Sequence, residues 1–101
     1  MKTKFPLGKV YLTCRVNQVG EEHPAFRAFA LQALRRHAIG DWGDCGPQDR
    51  ATNDDAINTD FRIFSVYLLP ANMRQAFPED RIWIITEADR SATTILWPSD
   101  Y

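Results

Sequence analysis

Thiols and imidazoles are scarce, with two cysteines and two histidines in 101 residues. Cys14 and Cys45 form no Cys-x-x-Cys pair, and His23 and His37 lack zinc-ligand spacing. No apolar run approaches the ~18 residues that a membrane span needs. No apolar signal region follows the start Met-Lys-Thr-Lys-Phe-Pro-Leu-Gly. Asn-x-Ser/Thr acceptors and glycine-rich phosphate loops are missing too. The net charge of -1 gives no bulk preference for an acidic or a basic partner. These absences lead us to expect a cytoplasmic chain with reduced thiols, no metal, no cofactor and no membrane partner.

What is present has the ordinary globular balance, 45% hydrophobic and 25% charged, in a length that suits one domain (residues 1–101). Residues 9–13 predict a short first strand, and 14–21 remain ambiguous. The clearest helix spans about 24–38. Pro24 suits its first position, Phe26, Phe29, Ala30, Ala33, Leu34 and His37 make one apolar face, and Gly40 is a natural stop. The polar stretch 40–60 is marked by turns, and 47–57 allows a short, weakly patterned helix. Strands are predicted at 61–69, 81–87 and 92–97, the last two joined by a turn at Ala88–Ser91. The expected fold class is α+β, an antiparallel sheet of three to four strands packed against one main helix.

Ile82-Trp83-Ile84-Ile85 is apolar on both parities, so both faces of the sheet are expected to carry apolar side chains. One helix covers one face only. The other must be covered by the 40–60 segment, by residues 70–80 or by another chain, including a second copy in a homodimer.

The charge is unevenly distributed. Residues 41–60 hold Asp41, Asp44, Asp49, Asp54, Asp55 and Asp60 against Arg50 alone, so the rest of the chain is net positive. The calcium-loop ladder is absent. These aspartates read either as a solvated loop capping turns and helix starts, or as an acidic surface that meets a basic partner. Lys2, Lys4, Lys9 and Arg15, with Arg35 and Arg36, form the opposing basic set, a weaker pointer to nucleic acid. Trp42 reads as a plug folding the loop onto the core, or as an interface anchor.

Two places invite an enzymatic reading. His37 sits on the helix's apolar face without a placed nucleophile. It also reads as a core histidine at a helix C-terminus, where positive charge is favoured. The tip Glu87–Ser91 gathers two acids, Arg90 and a serine. A turn needs such residues anyway, with Asp89 closing it and Arg90 pairing with a nearby acid.

Two blocks carry a resemblance. One is Gly40-Asp41-Trp42-Gly43 with the aspartate-rich loop. The other runs from Ile82-Trp83-Ile84-Ile85-Thr86-Glu87-Ala88-Asp89-Arg90-Ser91 through Leu96, with a terminal acid and Tyr101. Over roughly residues 37–101 the chain resembles a family of small uncharacterised bacterial proteins found on plasmids and integrated mobile elements. Some members carry the label of plasmid-related proteins or restriction-enzyme subunits. The resemblance implies a genomic setting and supplies no catalytic residue. The functional expectation is a non-enzymatic interaction protein of a mobile element or phage. Its expected partner is a host or defence complex (CRISPR or restriction), met through Asp41, Trp42, Asp44, Asp49, Asp54 and Asp55. The alternative is a nucleic-acid-binding accessory factor using the basic N-terminal stretch.

Overall fold

The computed structural model describes residues 2–101. Four strands and three helices follow in the order β1 (Lys9–Leu12), α1 (Cys14–Glu22), α2 (Pro24–Ala38), α3 (Pro47–Ala56), β2 (Ile63–Leu68), β3 (Arg81–Thr86) and β4 (Ala92–Leu96). A single 3-10 turn, Pro98–Asp100, closes the chain. No described helix is long and apolar enough to cross a membrane.

The class α+β stands, but the sheet is mixed and not antiparallel throughout. Its order is β1-β4-β3-β2, with β2–β3 and β3–β4 antiparallel and β1 parallel to β4. The cause is the connection between Leu12 and Ile63. It carries all three helices, so it is a crossover that returns the chain in the same direction, where a tight turn would have reversed it.

Three helices accompany the sheet. The fifteen-residue α2 is the longest, joined by α1 and α3. Helix α1 buries just Val16 and Gly20, too little to show in a polar nine-residue sequence. Its start is fixed by Thr13, whose hydroxyl accepts the Val16 N–H at 3.4 Å. Arg15 then ties it to the distant C-terminus through Asp100 at 2.9 Å.

Helices α1 and α2 cover one face of the sheet. Val16, Phe26, Ala30 and Ala33 pack there on Tyr67, Ile82, Ile84, Ile95 and Trp97, and Phe26 stacks on Trp97 at 5.2 Å. Met73 and Phe77 of the 70–80 connection join this same cluster. The end of the same connection, Glu79 and Asp80, reaches the opposite side beside Phe64, Val66 and Trp83.

The 40–60 segment goes to the outer edge of β2. Asp44 N–H donates to the Val66 carbonyl, and Val66 N–H donates to the Trp42 carbonyl. Asn53 of α3 accepts the Phe64 N–H and donates to the Phe64 carbonyl, and the Asp44 carboxylate accepts the Leu68 N–H. The outward N–H groups of Phe64, Val66 and Leu68 and the carbonyls of Phe64 and Val66 are thereby occupied, which leaves this edge a poor template for another strand. Gly43 makes the close approach possible. Its φ is +70°, and a Cβ there would meet the Val66 carbonyl oxygen at 2.1 Å.

Candidate functional site

The face of the sheet away from the helices is only partly covered. Strand alternation puts Phe64 and Val66 of β2, Trp83 and Ile85 of β3, and Thr94 and Leu96 of β4 on that side. The C-terminal Tyr101 meets the edge of Trp83 at 5.9 Å, with the Arg62 guanidinium over its ring. Phe64 meets Trp83 edge-on at 5.0 Å. Both Phe64 and Trp83 stay half-buried.

Between Pro98 and the edge loop lies an open groove of about 480 Å³. Phe64, Val66 and Trp83 give it an apolar floor, with the Cys45 thiol alongside. Its rim carries Asp44, Asp49, Glu79 and Asp80 against Arg81, three net negative charges. The hydrogen bond from Arg81 holds the Asp80 carboxyl below the usual carboxylate range. Glu79 is positioned by the Ser99 N–H and hydroxyl. Burial pushes the Cys45 thiol up, which keeps it protonated and a poor nucleophile.

Of the residues singled out in the sequence, Asp44 and Asp49 reach this groove. Asp41 lies elsewhere, in a two-pronged pair with Arg36 at 2.8 and 3.2 Å that lowers its pKa. Trp42 is 2% exposed, and its indole N–H donates to Asp54 at 2.8 Å. It plugs the loop onto the core and presents no ring at the surface. Asp55 is exposed on α3. Glu79, Asp80, Phe64 and Trp83 were not among the expected partner-binding residues. The two-sided apolar pattern of β3 signalled Trp83, and nothing in the sequence singled out Glu79 or Asp80.

Two members of the basic set are paired within the chain. Arg15 pairs with Asp100 and Arg36 with Asp41, while the Lys4 backbone N–H anchors to the Ala38 carbonyl at the far end of α2.

His37 is fully buried. It joins a chain of hydroxyls crossing the sheet: Thr93 donates to the Leu7 carbonyl at 2.7 Å, and Thr86 lies 2.7 Å from Thr93. Thr86 then accepts from His37 Nε2 at 2.8 Å, which leaves Nδ1 to accept the Ser65 hydroxyl. The ring is neutral, because burial pushes its pKa down to about 3. Desolvation therefore overrides the charge preference of the helix C-terminus. The serine and the imidazole lie in contact, but both have 0% exposure, so no substrate reaches them.

The Glu87–Ser91 tip is likewise occupied internally. Asp89 accepts the Ser91 N–H and closes the turn, as expected. Arg90 does not pair with an acid. Its guanidinium donates to the carbonyls of Ala56, Thr59, Phe61, Glu87 and Ala88, which ties the end of α3 to the hairpin. Among the described residues, no three His, Cys, Asp or Glu side chains converge in a metal-binding arrangement.

Comparison with known proteins returns no matching family model, no significantly similar curated protein and no significantly similar solved structure.

Proposed function

We propose that the protein is a non-enzymatic interaction module that takes a basic segment of a partner protein into the groove on its open sheet face. The observation that carries this reading is the combination there of an aromatic floor and an acidic rim. A guanidinium laid on Trp83 would gain a cation–π contact of about 0.5–2 kcal/mol. Each rim carboxylate would add an ion pair of up to about 1 kcal/mol, because the rim is wet. Such terms favour a segment with several arginines or lysines over a single one.

The finer reading is an anti-defence role for a protein of a mobile element or phage. Host CRISPR and restriction complexes bind nucleic acid through basic channels, and an acidic surface competes for such a channel. The partner then meets Asp44 and Asp49 directly, and the aspartates further along the loop at longer range.

Trp83 supplies the assay. Trp42 and Trp97 are 2% and 0% exposed, so a partner entering the groove perturbs the emission of Trp83 alone. Titration with an arginine-rich peptide should shift that emission, and the effect should weaken as salt rises. Replacing Asp44, Asp49 and Asp80 together with asparagine should weaken binding by at least about tenfold and flatten its salt dependence. The same triple variant should lose the partner that the wild-type chain retains from a bacterial host lysate. Peptide affinity and retained partner both unchanged by the substitutions would refute the assignment.

A further inference from the structure

The two edges of the sheet differ. Strand β1 forms the edge opposite β2, and all four of its residues are exposed. Among the described residues, Val10, Tyr11 and Leu12 are three of the seven large hydrophobic side chains left exposed, and Leu31 of α2 is a fourth. Leu12 and Leu31 flank a shallow apolar dent between α1 and α2, floored by Val16, Phe26 and Ala30. Lys9 is the only charge on the strand. Unlike β2, this edge has no loop hydrogen-bonded along it among the described residues.

The ladder to β4 decides which backbone groups remain. Lys9 and Thr13 donate their N–H groups to the Ser91 and Ile95 carbonyls. In a parallel ladder, alternate residues bond to the same neighbour, so Lys9, Tyr11 and Thr13 face β4. Val10 and Leu12 therefore turn their N–H and C=O groups outward.

We infer that β1 pairs with β1 of a second copy, antiparallel and in a register centred on Tyr11. This register sets Val10 of each copy opposite Leu12 of the other, and those are the residues with outward backbone groups. Two such pairs exchange four backbone hydrogen bonds across the dyad. A register centred on Val10 sets Leu12 against Gly8, whose left-handed turn (φ 64°) takes it out of the strand. The Tyr11 register also gathers Val10, Leu12 and Leu31 of both copies on the helix side, so the contact buries apolar surface as well as pairing edges.

Charge fits the same arrangement. Lys9, Tyr11 and Thr13 share the open side of the sheet, and Lys9 comes opposite Thr13 of the other copy. The Thr13 hydroxyl donates to the Asp100 carboxylate at 2.7 Å. Lys9, which has no ion pair within the chain among the described residues, is thereby brought toward an acid of its partner. The contact uses neither the groove nor its rim, so its test is separate from that of partner binding.

Sedimentation velocity of the full chain, from about 1 μM to about 1 mM, should show a reversible monomer–dimer equilibrium. Val10→Pro removes an outward N–H that β4 does not use, so it should keep the fold by circular dichroism and weaken dimerisation at least about tenfold. A disulfide reads the register directly. In a Cys14→Ser background, Tyr11→Cys places one thiol on each side of the dyad, with Cα atoms about 4.5 Å apart in a non-hydrogen-bonded pair. It should cross-link on mild oxidation much faster than Leu12→Cys, which faces Val10. A chain that stays monomeric throughout the range would overturn the proposal. So would a dimer indifferent to Val10→Pro, or one whose cross-linking favours Leu12→Cys.

Discussion

Acid should unfold this protein through His37 before its carboxylates protonate. The ring is neutral in the native state, with a pKa pushed from 6.5 to about 3 by burial, whereas the unfolded chain titrates it normally. A depressed native pKa means that its stabilising contribution is present in full above the unfolded value and is lost as pH falls. Between those two values the unfolded state holds nearly one proton that the native state refuses. The free energy of unfolding should therefore drop by about 2 kcal/mol between about pH 7.5 and pH 5, and by about 3 kcal/mol at about pH 4. Asp41 and Asp100 also have lowered pKa values, so their contributions fade later, in the acid limb below about pH 4.

Urea titrations at half-unit pH steps measure this slope. His37→Gln removes the titrating group at the cost of part of the hydroxyl chain. It should be less stable at neutral pH by about 1–3 kcal/mol, but its profile should be flatter than wild type from pH 6.5 downward. A nitrogen-detected NMR titration of the wild-type ring gives the same information without a substitution. It should report a proton on Nε2 and no protonation of Nδ1 above about pH 4. A His37 ring that titrates near its ordinary value, or wild-type and variant profiles that run parallel, would refute the reasoning.

Two further outcomes concern the joints of the fold. Arg90→Ala should destabilise by about 2–4 kcal/mol in urea unfolding, because five carbonyls lose a charged donor. Arg90→Lys should recover little of this, since a single ammonium cannot reach the same set. Gly43→Ala should cost at least about 2 kcal/mol, given the left-handed backbone and the collision with Val66. Its hydrogen exchange should accelerate first at Asp44 and Val66, whose N–H groups make the edge bridge.

The elements with dense local signals were legible in the sequence. Helix α2 declares itself through Pro24 and the recurrence of Phe26, Phe29, Ala30, Ala33, Leu34 and His37, of which Phe29 and Leu34 are half-buried and the other four of that face buried. Strands β2, β3 and β4 are β-branched and aromatic, and each lies within the expected span. Helix α1 was hidden because its stability comes from a cap and from an ion pair with Asp100, eighty-five positions away. The direction of β1 was hidden for a similar reason, since no turn links it to its neighbour. The candidate site was half legible. The aspartate-rich loop is obvious in the sequence, but Arg36, Trp42 and Leu68 engage Asp41, Asp54 and Asp44 through tertiary contacts. The groove exists only because the 70–80 connection delivers Glu79 and Asp80 to the same rim.

The loop sealed along β2 has a consequence for assembly. A sheet with two open edges can recruit copies without limit and grow into a filament. Here one side of the sheet is already saturated by the chain's own Trp42, Asp44 and Asn53. Strand addition across β1 about a dyad uses up the remaining side of both participants, so association by this route terminates at two. The eight strands then form one continuous surface. The two grooves open on the same side of it, and a partner with two suitably spaced basic segments would be held bivalently.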